Sequence, residues 1–239
     1  MAYSVVRDFV VDEKDMRLHS SGIGRPLLLL HELAGSARSF TVLVPLLVAG
    51  GREAVALDLP GHGHSEGVPG SDLHGAAWAV AGALDEVCDD PVDVVGIDFG
   101  GYLALTVAAQ FPTRIRRLVV VEPQAPPQAG HASAGIVPAK QRARGALNVL
   151  MSGRGALQRM HSTVGQLRAA DPHWWNGLAA IQAPTLVVDG GGGRSGNGVD
   201  LDALADRIND SKRLSVGTSH RPWVTDAGQL ADAVLEFVA

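Results

Sequence analysis

Five short apolar runs constrain this chain more than any other feature: LLLLH at 27–31, EAVALDL at 53–59, VDVVGI at 92–97, RLVVVE at 117–122 and PTLVVD at 184–189. Their apolar residues are continuous rather than alternating. A strand written this way has both faces buried, as interior strands of a helix-covered parallel sheet do. Helical stretches separate the runs, at 37–49, 72–87 and 100–111, the last stopping before Pro112. Further helices are expected at 200–209 and 227–238, with strand-like segments near 3–11, 16–20 and 212–217. Strands alternating with helices predict an α/β fold, a mostly parallel doubly wound sheet. At 239 residues with 46% hydrophobic content, one domain with a sizeable core is expected.

The rhythm breaks between 123 and 180, a stretch with five prolines and helical pieces near 138–151 and 154–170. It reads as a lid inserted into a core made of 1–122 and 181–239. GGGGRSGNG at 190–198 reads as a flexible loop, too poorly spaced to be a phosphate loop. The net charge is −5 and the 20 Lys and Arg residues are scattered, so no nucleic-acid partner is expected. No apolar run approaches a membrane span, and the N-terminus lacks a signal core, so a cytoplasmic protein without a membrane partner is expected. The single cysteine, Cys88, reads as a small buried residue on a helix.

Four segments carry a resemblance that spans nearly the whole sequence. LLLLHELAGSARSF is similar to a His-Gly segment after a third strand, and DLPGHGHS to an Asp-x-Pro-Gly-x-Gly-x-Ser loop after a fourth. GIDFGG is similar to a nucleophile elbow, and GTSHRPWVTDAGQLADAVLEFV to a segment carrying a catalytic histidine and a last helix. Together, in order, they resemble the α/β-hydrolase family, here with a small helical lid. In its elbow the nucleophile sits on a strained strand-to-helix turn, flanked by small residues and aimed at the positive end of a helix. Where serine is usual, this chain has Asp98. That points to the branch of epoxide hydrolases and haloalkane dehalogenases, in which an aspartate forms a covalent alkyl-enzyme ester.

The resemblance implies the other roles. His220 is the base that activates water against the ester. Glu122, at the end of the sixth strand, is the acid that orients it, with Asp189 as the alternative. The backbone N–H groups of Phe99 and Leu33 form the oxyanion hole. His31 packs beneath the loop. Glu32 stands where glycine is usual, and either faces the pocket as a polar or acid/base group or turns to solvent.

The side chains of Leu33 and Phe99 cannot donate to a halide, which counts against a conventional dehalogenase. Tyr3 and Tyr102 both lie outside the lid, which counts against a conventional epoxide hydrolase. The lid does hold Trp174 and Trp175, whose indoles are candidate donors to an epoxide oxygen and walls for an apolar or aromatic substrate. Adjacent helical residues face different ways, so one of the pair is expected in the pocket. His131, His161 and His173 are further lid donors. The expected activity is therefore cofactor-free opening of an epoxide on a small-molecule substrate through Asp98. The alternatives are haloalkane dehalogenation, lyase or cyclase chemistry with Asp98 as base, and a non-catalytic ligand-binding protein. His62 and His64, at i and i+2 without a third ligand nearby, do not make a metal site, so neither metal nor organic cofactor is expected.

Overall fold

The computed structural model describes residues 3–67, 72–128, 156–191, 193–196 and 198–239. Eight strands form one sheet: β1 (Val5–Val11), β2 (Lys14–Ser21), β3 (Pro26–Leu30), β4 (Glu53–Asp58), β5 (Val92–Ile97), β6 (Ile115–Val121), β7 (Thr185–Asp189) and β8 (Ser211–Ser215). Their spatial order is β1-β2-β4-β3-β5-β6-β7-β8. The β1–β2 and β2–β4 pairs are antiparallel and every other pair is parallel. The doubly wound α/β sheet expected from the apolar runs is the one observed.

Strand β3 shows why those runs are continuous. Leu28 and Leu30 enter the core on one face of the sheet, and Leu27 and Leu29 enter the core on the other. All four are fully buried. Each contributes about 2 kcal/mol by area, an upper figure because the unfolded chain already hides part of that surface.

The helices are α1 (Leu43–Ala49), α2 (Leu73–Val87), α3 (Phe99–Gln110), α4 (Ala156–Leu167), α5 (Pro172–Gly177), α6 (Leu201–Ala205), α7 (Pro222–Thr225) and α8 (Ala227–Val238). Helices α2 and α3 cover one face of the sheet; α1 and α8 cover the other. Every helical position of α3 from Phe99 to Ala108 is buried, because the helix packs between the sheet, α2 and the segment 172–180.

Some boundaries depart from expectation. The segment 37–49 is a 3₁₀ turn at Ala37–Phe40, capped by Ser36, followed by α1. Pro45 falls in the first turn of α1, where a missing N–H costs nothing, so the break lies before it. Helix α6 ends at Ala205. Cys88 is the half-buried cap of α2 rather than a core residue inside it. The expected helix near 138–151 and His131 lie outside the described residues, as does the side chain of His161. Among the described residues, no helix is long and apolar enough to cross a membrane.

Candidate active site

The site lies at the C-terminal ends of β5, β6 and β7. Asp98 occupies the turn between β5 and α3 at φ 50°, ψ −113°, a conformation that L residues rarely adopt. Gly96 and Gly100 make the turn possible. A Cβ at Gly96 would overlap the Gly100 carbonyl, and one at Gly100 would overlap the carbonyls of Leu30 and His31. Gly100 N–H donates to His31 O at 3.0 Å, drawing the loop after β3 against the elbow.

Asp98 is 4% exposed. Gln124 Nε2 donates to its Oδ1 at 2.9 Å and to its Oδ2 at 3.0 Å, and Leu33 N–H donates to Oδ2 at 3.1 Å. One of the two backbone donors expected in the oxyanion hole thus already holds an oxygen of residue 98. The other, Phe99 N–H, is the first amide of α3 and has no partner within its own helix. Gln124 escaped the sequence reading because it falls in the Pro-rich start of the expected lid. Its only signal was its place three residues beyond the end of β6.

Glu122 follows β6 directly, at φ 51°, and is 2% exposed. It accepts from Gly190 N at 2.7 Å and Gly196 N at 2.5 Å, and its Oε2 lies 3.0 Å from His220 Nδ1. With Nδ1–H donated to Glu122, the tautomer leaves Nε2 as the accepting nitrogen. His220 lies on the segment between β8 and α7, its ring 57% exposed.

Asp189 is turned elsewhere. It accepts from Gly191 N at 2.7 Å and Ser215 Oγ at 3.0 Å, and pairs with Arg213. Burial opposes its ionisation, but these hydrogen bonds and the arginine outweigh it and hold its carboxyl below the usual range. Arg213 and Ser215 both come from β8, which pairs with β7 at this point.

His31 is fully buried. Its Nδ1 lies 2.7 Å from Glu32 O and its Nε2 accepts from Leu59 N at 3.0 Å, so it clamps two loops. Burial pushes its pKa down to about 3, which keeps it neutral. Glu32 packs inward, its side chain 13% exposed, with Oε1 3.7 Å from Arg221 Nη2 and, among the described residues, no hydrogen-bond partner for Oε2. Burial raises its pKa; hydrogen bonding from Ser39 opposes this and the charge of Asp98 adds to it. Arg221, beside His220, went unremarked in the sequence because a lone arginine carries no motif.

The two tryptophan indoles expected to face a substrate both find partners within the protein. Trp174 Nε1–H donates to Thr106 Oγ1 at 2.9 Å, and Trp175 Nε1–H to Pro126 O at 2.8 Å. Both indole donors proposed for an epoxide oxygen are therefore held by the protein. Trp174 stacks on Tyr102 at 5.3 Å, and Tyr102 on Phe99 at 6.2 Å. Trp174 also lines a cavity of about 570 Å³ with Tyr102, Thr106 and Gln166, whose walls do not include Asp98 or His220. His173 lies on the rim of that cavity, exposed.

A family profile described as alpha/beta hydrolase fold matches residues 25–217. The chain belongs to this family. Over 111 residues it is 36% identical to a 2-hydroxymuconate semialdehyde hydrolase of Pseudomonas sp. (strain CF600), a match covering 44% of this chain and 38% of that enzyme. Over 94 residues it is 35% identical to a pimeloyl-[acyl-carrier protein] methyl ester esterase of Neisseria meningitidis serogroup C / serotype 2a (strain ATCC 700532 / DSM 15464 / FAM18), covering 39% and 35%. The chain thus aligns with well under half the length of these relatives. Its fold is similar to that of a meta-cleavage product hydrolase from Pseudomonas fluorescens IP01, with a TM-score of 0.78 and 17% identity over 99% of this chain and 98% of that one.

These relatives correct the expected activity. They are named for hydrolysis of a semialdehyde, a methyl ester and a meta-cleavage product, not of epoxides or haloalkanes. They contradict the expected covalent alkyl ester on Asp98, and with it epoxide opening and dehalogenation. The residue type at one position, Asp98, does not set the branch of the family. Both indoles expected to donate to a ring oxygen are instead bonded within the protein.

Proposed function

We propose that this chain is a hydrolase of small carbonyl compounds. It cleaves a carbon–carbon bond beside a carbonyl or an ester bond, with water rather than a side chain as the nucleophile. The observation that carries the reading is the oxygen of residue 98 held by Leu33 N–H at 3.1 Å, on the strand end adjoining the one that carries Glu122, which fixes His220. A donor that holds one oxygen there is placed to hold the oxygen of a substrate carbonyl as it becomes negative.

In this mechanism the substrate carbonyl takes the Leu33 and Phe99 N–H groups. Gln124 keeps hold of Asp98, which accepts a hydrogen bond from the attacking water. His220 Nε2 removes a proton from that water as its oxygen bonds to the carbonyl carbon. The tetrahedral oxyanion collapses, the carbon–carbon or carbon–oxygen bond breaks, and the departing electron pair takes the proton back from His220. Direct attack by Asp98 on such a carbonyl is unproductive. A carboxylate leaves a tetrahedral adduct more readily than an alkoxide does, so the adduct reverts.

The test is hydrolysis of 2-hydroxymuconate semialdehyde and of short-chain p-nitrophenyl esters, run as single turnovers in ¹⁸O-water. Label is expected in the product acid, with turnover abolished in His220→Gln. Label in Asp98 by peptide mass spectrometry, or no hydrolysis of either class, overturns the reading.

A further inference from the structure

The sequence offered His62 and His64 as a pair, and the fold separates them. His62 turns to the His31 ring, 5.2 Å away. His64 joins two residues that the sequence places elsewhere, His19 on β2 and Asp58 at the end of β4. Strands β2 and β4 pair antiparallel with His19 opposite Ala56 and Arg17 opposite Asp58, which brings His19 diagonally across from Asp58. Its Nε2 lies 3.1 Å from Asp58 Oδ2. The loop after β4 then curls back over the carboxylate. Gly63, at φ +55°, makes this approach, since a Cβ there would overlap the Asp58 side chain. His64 Nδ1 lies 3.6 Å from the same Oδ2.

Two imidazole nitrogens and one carboxylate oxygen therefore lie within 4.8 Å of one another. Zinc binds such atoms at about 2.0–2.1 Å, so neighbouring ligands of a tetrahedral ion sit about 3.4 Å apart. The separations of 3.1 and 3.6 Å bracket that value. The oxygen also has the lone pairs for it. One receives His64 N–H at 3.0 Å, and the other now faces His19 Nε2, where an ion would stand with His19 as ligand instead of hydrogen-bond partner. Asp58 is held from behind, its Oδ1 accepting Ala37 N at 2.8 Å, and the Tyr3 ring backs His19 at 5.4 Å. This outer support orients ligands in known metal sites. The His64 ring is 60% exposed, which leaves a water position open on the solvent side.

We propose that His19, Asp58 and His64 form a binding site for a divalent transition-metal ion of the zinc type, with water as the fourth ligand. Two imidazoles suit zinc, cobalt, nickel or copper and disfavour magnesium. The ion ties β2 to the loop after β4, independently of the hydrolytic chemistry.

The test uses the tag-free full chain, stripped with EDTA. Zn²⁺ is titrated against a chromophoric chelator, and Co²⁺ is followed by its visible absorption. One Zn²⁺ per chain with a micromolar or tighter Kd is expected, together with the Co²⁺ bands of a four-coordinate site. His64→Ala and His19→Ala should each weaken binding about 10-fold or more, while His74→Ala and His220→Gln leave it unchanged. His64 is exposed, so its variant decides the matter if His19→Ala does not fold. No competition with the chelator, or binding that survives both His64→Ala and His19→Ala, overturns the site.

Discussion

Glu122 Oε2 lies 3.0 Å from His220 Nδ1, across 98 residues of chain. The contact exists because β5, β6 and β7 end together, and because Gly190 and Gly196 each donate an N–H to the same carboxylate. Glu122→Gln would keep the shape but give His220 a neutral partner and favour the wrong tautomer. Activity on a p-nitrophenyl ester should fall about 10²- to 10⁴-fold in kcat with little change in KM, by analogy with the loss of the acid in serine triads. Steady-state kinetics check this, with circular dichroism to show that the variant is folded.

The elbow geometry predicts a gain of reactivity. Asp98→Ser would place a hydroxyl on a strained turn, at a helix N-terminus and at the site of the Glu122–His220 dyad. A fluorophosphonate probe should leave residue 98 of the native chain unlabelled and label Asp98→Ser. The double variant Asp98→Ser/His220→Ala should not react. Peptide mapping of the labelled protein gives the answer.

Gly96→Ala and Gly100→Ala each insert a methyl group into backbone of the facing turn. Each should cost about 2–3 kcal/mol, since backbone atoms cannot swing aside as a side chain can. Urea denaturation should show a lowered midpoint with an unchanged slope.

Glu32 gives a pH dependence of known sign. Burial raises its folded pKa above the unfolded value of about 4.3. Its contribution to stability is therefore complete below that value and is lost as pH rises through the folded pKa. Glu32→Gln removes the loss. The Tm difference, variant minus native, should grow between pH 4.5 and pH 7.5. A difference that stays flat would show that Glu32 is not held in a protonation-sensitive environment.

Asp93 is fully buried on β5 and accepts from Arg116 Nε at 2.7 Å and Nη2 at 2.6 Å, and from Arg52. Arg52 also reaches Val238 O at 3.1 Å, so the network anchors α8 to the sheet. Asp93→Ala leaves two guanidinium groups facing each other without their counter-charge. It should cost about 3–5 kcal/mol, read by thermal or urea unfolding.

Burial on both faces wrote the sheet into the sequence. Leu27 to Leu30 must read as an unbroken apolar run because neither side of β3 meets water, and the same holds for Leu118 to Val121 of β6 and Leu186 to Val188 of β7, whereas β5 carries the buried, arginine-paired Asp93 within its apolar run. The elbow was equally legible, because Gly96 and Gly100 answer a local steric demand that no other residue meets. What lay beyond the residue pattern was the choice of partner where distant segments meet. Nothing local says that Glu122 rather than Asp189 faces His220; the hydrogen bonds of Asp189 to β8 decide it. Nothing local says that the indoles of Trp174 and Trp175 find Thr106 and Pro126, or that His64 leaves His62 for His19 and Asp58. Periodicity and backbone sterics act over a few residues and leave their mark on residue order. Side-chain hydrogen bonds and ion pairs are settled by where the strands end and which loops meet there, and only the assembled tertiary structure holds that information.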